Sequence, residues 1–274
     1  MVEFIEKLVG GFIMAEEKKW KTAITKATDE AAYIRGYELT ELIDKLNFTQ
    51  MIFLILKGEL PSKKEERMMN AILVATAEHG IAPPSITAAR TVFSGGSPLN
   101  AAVAAGVLAI GESHGGAIEQ CARMLQEGVK SGIETGTVAK AIVKKAREEG
   151  KRLPGFGHRI YVDDPRTKVI FKVAKEQGFY GKHVELAVTV REELEKALNK
   201  KMPLNVDGAI AAIASEMGFD WKLGKGFFII GRTVGITAHV FEEWTREKPF
   251  RRLDESEIGY DGVEPRKLPA DFEK

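Results

Sequence analysis

DPRTKVIFKVAKEQG, residues 164–178, decides the fold class. Asp164 before Pro165 is a helix start, because a carboxylate accepts from first-turn N–H groups and proline lacks the N–H that would go unpaired there. Val169, Ile170 and Val173 then recur at helical spacing, and Gly178 supplies the stop. The same punctuation repeats in both directions. Ser62 with Glu65 reads as a capping box opening a helix through Met68, Ile72 and Leu73 to about His79. Asn100 to Ile110 is Ala-rich and apolar nearly all round, which predicts a helix buried on most sides. Thr137 to Glu149 closes at Gly150, Val184 to Leu198 repeats the pattern, Asn205 caps a helix through Ile213, and Phe227 to Trp244 forms another. Alternating strand patterns of any length are absent, with room for one short hairpin within Thr22 to Gly36. The fold class is all-α. Glycine-rich joints at His114 to Gly116 and near Gly218 predict a large domain of residues 1–114 with 219–274 and a small domain of 115–218.

At 274 residues the chain is long enough to bury a sizeable core. Forty basic against thirty-nine acidic side chains leave a net charge of +1, so no global field favours a nucleic acid or an anionic membrane, and neither is expected as a partner. No apolar run approaches the ~20 residues that span a bilayer. The single cysteine, Cys121, excludes an internal disulfide and a thiolate zinc cluster, in keeping with a reducing cytoplasm, and is expected to pack rather than react. The opening MVEFIEKLVGGFIM has acidic residues and glycines where a secretion signal would not, and is expected to be a short amphipathic arm of the mature protein.

Three of the five histidines stand at glycine-flanked helix ends: His79 in EHG, His114 in SHGG and His158 in GFGH. Glycines there allow backbone to approach a ligand closely. His114 precedes a helix expected to begin near Gly116, whose positive end disfavours imidazolium; a neutral hydrogen-bond donor suits a thioester carbonyl becoming an enolate. Asp207 falls in the first turn after the Asn205 cap, where the helix dipole favours carboxylate over acid, and is a candidate proton shuttle at carbon. Arg166, Arg232, Arg251 and Arg252 are candidates for carboxylates, which guanidinium groups hold by two points. Lys200, Lys201 and Arg147 are candidates for phosphates.

These residues carry a resemblance. IRGYELTELIDKLNFTQMIFLILKGELP at 34–61, HGGA at His114, PGFGHRIY with DPR at 154–166, NVDG at Asp207 and GRTVGITAH at Arg232 stand in the order of the citrate synthase superfamily, which the chain resembles over nearly its whole length. The resemblance implies a dimeric helical fold with a large and a small domain closing over the substrates. It implies that His114 polarises the thioester carbonyl, Asp207 handles the methyl proton, and His158 works on the keto or tertiary alcohol oxygen. His79, Arg166, Arg232 and Arg251 would hold the oxaloacetate or citryl carboxylates, Arg251 from the neighbouring subunit. Leu153, Pro154, Gly155, Phe156 and Gly157 would receive the adenine end of coenzyme A, with Arg147, Arg159, Lys200 and Lys201 toward its phosphates.

A shorter N-terminal side, Gly80-Ile81-Ala82-Pro83 after His79, and Lys200-Lys201 before NVDG look more like citryl-CoA lyases and the citryl-CoA module of ATP-citrate lyases. The expected reaction is cleavage of (3S)-citryl-CoA to acetyl-CoA and oxaloacetate by a retro-Claisen step, in a homodimer or a multiple of it. Neither a metal nor a tightly bound cofactor is implied; coenzyme A enters as part of the substrate, and a citryl-CoA synthetase would act upstream. The alternatives are a compact citrate or 2-methylcitrate synthase, and a non-catalytic CoA-ester binding subunit.

Overall fold

The structure, a computed structural model, describes residues 20–157 and 164–272. The amphipathic arm expected over residues 1–14 lies outside the described residues. Eleven α-helices occur among the described residues, with one small sheet, as the all-α reading requires. The chain divides into two compact units, Met1–Asn70 and Ala71–Lys274.

The first unit contains the expected hairpin, β1 (Thr25–Ala27) and β2 (Ala32–Ile34), and a short β3 (Tyr37–Glu38) that was not foreseen. The order is β1-β2-β3, antiparallel throughout, with Ile34 paired to both Thr25 and Tyr37. Arg35 and Gly36 form the two-residue turn into β3 with φ of 49° and 91°. Both residues being left-handed matches the twist of a tight hairpin. A positive φ at arginine costs energy, and here the guanidinium donates through Nε and Nη2 to the Ile55 carbonyl at 3.2 and 2.7 Å. Helices α1 (Leu39–Lys45) and α2 (Phe48–Lys57) follow, α2 opening on a reciprocal Asn47–Gln50 box and closing at left-handed Gly58. The Ser62–Glu65 box is present as read and opens α3 (Lys63–Ala77), which continues into the second unit.

In the second unit α4 (Pro84–Ser94) and α5 (Leu99–Leu108) pair with one another and with the 23-residue α11 (Gly224–Arg246). Arg90 of α4 is buried and donates to Glu243 (2.6 Å) and Glu242 (3.1 Å) of α11, which fixes that pairing by charge as well as packing. Helices α6 (Ala117–Lys130), α8 (Pro165–Gln177) and α9 (Lys182–Leu198) pack against α10 (Val206–Glu216), and α7 (Thr135–Glu148) packs on α9. Nine of the eleven α10 residues are buried, Val206 and Gly208 through Ser215. Its sequence, VDGAIAAIASE, is apolar all round between two acids, as a helix with neighbours on every side must be.

Two expectations about burial differ from what forms. In α5 only Ala102 and Gly106 are buried, while Leu108 is 84% exposed. One face packs so tightly that a Cβ on Gly106 would stand 2.7 Å from the Ser85 carbonyl, but the opposite face is open. In α8 the inward stripe is Thr167, Ile170, Val173 and Ala174, and Val169 is 61% exposed; apolar spacing alone did not say which side of the stripe it joined. Among the described residues no helix is long and apolar enough to cross a membrane.

Candidate active site

Five of the residues singled out from sequence line one cavity of about 180 Å³ in the second unit: His79, His114, Arg166, Asp207 and Arg232. They arrive from the end of α3, the turn before α6, the first turns of α8 and α10, and the middle of α11.

Asp207 occupies the second position of α10. The Asn205 side chain caps that helix by accepting from Gly208 N–H at 3.1 Å, and its amide donates to the Gly157 carbonyl at 2.9 Å. Asp207 is half-buried as a residue but its carboxyl lies deep in the fold. Burial pushes its pKa from the ordinary 3.8 up to about 6, against the opposing pull of the Arg166 and Arg232 charges, with Asp164 adding to the rise. This corrects the expectation that the helix end would favour the carboxylate: loss of water outweighs the dipole. Behind it Cys121 is fully buried, and burial with the Asp207 charge raises its thiol pKa, so it packs and does not react.

His114 sits in a tight turn whose Gly111 carbonyl accepts from both His114 N–H (3.0 Å) and Gly116 N–H (3.1 Å). Gly115 has φ +82°, and a Cβ there would lie 2.7 Å from the Phe228 ring. That ring meets the imidazole edge to face at 5.3 Å. The His114 pKa is lowered, first by burial and then by the Arg232 charge. A neutral ring was expected from the following helix; the neutral ring stands, on a different cause. Nε2 is 2.8 Å from Ser85 Oγ, a buried hydroxyl in the first turn of α4.

The two guanidinium groups are held differently. Arg166 is clamped by Asp164, Nε to Oδ1 at 3.1 Å and Nη2 to Oδ2 at 2.9 Å. Burial would raise the Asp164 pKa, but Arg166 and the N–H of Val206 at 3.1 Å bring it below the usual range. One carboxylate thus joins the starts of α8 and α10. Arg232 is buried, lies 4.8 Å over Phe228, and donates Nε–H to the Thr76 carbonyl at 2.9 Å. Its Nη1 has no hydrogen-bond partner among the described residues. A buried unpaired guanidinium nitrogen beside a cavity is suited to binding an anion.

Not every candidate joins this cavity. The loop Leu153–Gly157 is pinned beside α10 by Gly157 N–H to the Pro203 carbonyl (2.7 Å) and by a Phe156–Leu204 bridge, with the Phe156 side chain buried. Lys200 and Lys201 are exposed nearby, after α9. Arg147 lines a separate open groove of about 650 Å³ between α7 and α9. Arg251 donates to Glu243 of its own chain at 3.1 and 2.6 Å, and Arg252 stacks on Phe250 at 5.0 Å. His158 and Arg159 lie outside the described residues. The residues that sequence reasoning missed are Ser85, which nothing in its Pro-Pro-Ser setting marks, and Thr76, whose part is played by its backbone.

The raised Asp207 pKa has a thermodynamic consequence. A group that is harder to ionise when folded destabilises the fold wherever it is ionised. That cost is absent below about pH 4, grows from about pH 4 to 6, and reaches at most about 3 kcal/mol above that. Asp207→Asn, neutral at every pH, should therefore melt higher than wild type at pH 8 and within about a degree of it at pH 4. A variant that is less stable at pH 8 than at pH 4, relative to wild type, contradicts the assignment.

Comparison with known proteins adds to this geometry. The family model for the citrate synthase C-terminal domain matches residues 61–253, more than two thirds of the chain. A putative citrate synthase 2 of Mycobacterium tuberculosis is 31% identical over 194 residues, covering 68% of this chain and 50% of that protein. The chain spans about half the length of the curated relatives it matches first. The solved citryl-CoA lyase of Hydrogenobacter thermophilus is 55% identical, with a TM-score of 0.86 over 93% of this chain and 99% of that one. An ATP citrate lyase of Methanosaeta concilii, solved with (3S)-citryl-CoA, covers 96% of this chain with 44% of its own at a TM-score of 0.78 and 22% identity, a likeness of fold. The chain belongs to the citrate synthase family.

Proposed function

We propose that the chain is a citryl-CoA lyase, cleaving (3S)-citryl-CoA to acetyl-CoA and oxaloacetate. The observation that carries the choice over a synthase is the 55% identity to a citryl-CoA lyase across 99% of that protein's length. The cavity supports the chemistry: two guanidinium groups for carboxylates, a neutral imidazole for a thioester oxygen, and a carboxyl poised near neutrality. At about 180 Å³ it is smaller than the roughly 300–1,000 Å³ of pockets that enclose a whole ligand. It fits the citryl acid, with the nucleotide outside along the Leu153–Gly157 loop, Lys200 and Lys201. Coenzyme A takes part as a portion of the substrate.

In this reading His158, assigned by its motif, removes the tertiary hydroxyl proton. The carbonyl of oxaloacetate forms as the carbon-carbon bond breaks, and the electron pair moves into the thioester as an enolate. His114 holds the enolate oxygen through Nδ1–H, in the tautomer whose Nε2 would accept from the Ser85 hydroxyl 2.8 Å away. Asp207, as the acid, delivers a proton to the enolate carbon and acetyl-CoA results. Arg166, Arg232 and His79 hold the carboxylates. The proposed large part (1–114 with 219–274) supplies His79, His114 and Arg232, and the proposed small part (115–218) supplies Arg166 and Asp207. Closure of one on the other would exclude water from the thioester. The cytoplasm and an upstream citryl-CoA synthetase belong to the same proposal, since the substrate is an activated thioester.

The proposed assembly is a homodimer or a multiple of it, with Arg251 reaching the neighbouring site. It is supported by an apolar groove of about 530 Å³ along α11 that leaves Val234, Phe241 and Trp244 each more than 60% exposed. Phe241→Glu should dissociate the protein in sedimentation and abolish cleavage; a fully active monomer would remove the dimer and the Arg251 role together.

Purified protein given citryl-CoA should release oxaloacetate and acetyl-CoA in equal amounts with little free thiol. Malate dehydrogenase coupling reads the first and a thiol reagent the free coenzyme A, in separate samples. Asp207→Asn should lower turnover by ~10²-fold or more while citryl-CoA still binds. Dominant thiol release with citrate as co-product identifies a synthase; no product from wild type favours a binding subunit, and a near-native Asp207→Asn rate removes Asp207 from the proton transfer.

A further inference from the structure

Helix α3 ends at Ala77, one residue before an exposed glutamate that the reaction does not use. At such an end the last carbonyls usually accept the N–H groups of the two or three residues that follow, often around a left-handed glycine. Gly80 is left-handed here, with φ +89°. Its N–H nevertheless goes to Glu78 Oε1, and the His79 N–H contributes to the same carboxylate. Because the side chain of Glu78 takes these donors, the Thr76 carbonyl remains for Arg232 Nε–H at 2.9 Å.

Glu78 is itself fixed from α11. His239 Nε2 stands 3.2 Å from Glu78 Oε1. One turn earlier Gly235 lets the helix end come close: a Cβ there would collide with the Ala77 carbonyl and Glu78 Oε2. The other ring nitrogen of His239 faces Glu242 Oε2 at 3.6 Å, and Glu242 accepts from buried Arg90. The Glu78 charge also supports the ionised state of Arg232 against its burial. His79 and Arg232, both lining the cavity, therefore share one organising carboxylate.

We propose that Glu78 is a positioning residue for the substrate carboxylate: held by the ring of His239, it takes the backbone N–H groups after α3, sets His79 at the cavity, and leaves the Thr76 carbonyl to aim Arg232. Glu78 touches no substrate in this arrangement. It acts on binding through its two neighbours and leaves His114, which holds the enolate oxygen, and Asp207, which carries the proton, as they are. The inference rests on the reading of this cavity as a site for oxaloacetate and the citryl carboxylates.

The test uses the full chain as wild type, Glu78→Ala, Glu78→Gln and His239→Phe. Oxaloacetate affinity is measured by calorimetry without turnover, citryl-CoA cleavage by steady-state kinetics, and stability by melting. Glu78→Ala should weaken oxaloacetate binding and raise KM by about tenfold each, with kcat within about threefold. Glu78→Gln, which keeps an acceptor for Gly80, should recover part of the loss, and His239→Phe should fall between. In ligand-free protein labelled at its five histidines, Glu78→Ala should move the ring signals of His79 and His239 and leave that of His183 in place. Wild-type affinity and KM in Glu78→Ala overturn the proposal, as does a loss confined to kcat or to the fraction of folded protein. Wild type that binds oxaloacetate without cleaving citryl-CoA sinks the lyase reading alone, and wild type that binds no oxaloacetate sinks both.

Discussion

Burial of α10 is the constraint around which the site is arranged. Nine of its residues are withdrawn from water, and the helix carries Asp207 inward with them. Three influences at that position favour the ionised carboxylate: the helix start, Arg166 and Arg232. Desolvation opposes all three and prevails, leaving the group near 6 rather than near 4. A carboxyl placed there can be an acid in one direction of a carbon-carbon reaction and a base in the other, at ordinary pH. The same lack of water lowers the His114 pKa and leaves Arg232 Nη1 asking for an anion. Binding of a carboxylate would thus satisfy a buried cavity-lining nitrogen that has no partner among the described residues.

Holding α10 in that position depends on contacts closer than side chains permit. A Cβ on Gly155 would stand 2.7 Å from the Gly208 Cα and 2.9 Å from Cys121 Sγ, so the Leu153–Gly157 loop and the first turn of α10 meet backbone to backbone. The Gly155 carbonyl takes the Asn205 N–H at 3.0 Å, and Asp164 takes the Val206 N–H. Loop, α8 and α10 therefore move as one piece, and a change in the loop is felt at Asp207. This is why the motifs PGFG and DPR and the distant NVDG, some forty residues on, belong to one local structure.

How much was legible follows the range of each cause. Caps and stops are local, so the Ser62–Glu65 box, the Asp164-Pro165 start, the Asn205 cap and the Gly178 end could be read from neighbouring residues alone. The gathering of His114, Asp207, Arg166 and Arg232 came from motif order, since no local rule places them together. What stayed hidden is set by partners distant in sequence. Ser85 is 29 residues from His114, and the pull of burial on Asp207 requires knowing that α10 is enclosed. The left-handed Arg35 was illegible because arginine carries no turn preference; its fit depends on the Ile55 carbonyl 20 residues away.

Burial, more than the helix end or the neighbouring charges, sets the ionisation of Asp207 near neutral pH, where the proposed proton delivery needs it. The most direct measurement is a carbon-13 NMR titration of the aspartate carboxyls in ligand-free protein, with the Asp207 signal assigned by its absence in Asp207→Asn. The account predicts a midpoint of about 6 for this carboxyl, clear of the exposed aspartates. A midpoint near 4 would contradict it, because the helix end and the two arginines would then have prevailed over desolvation.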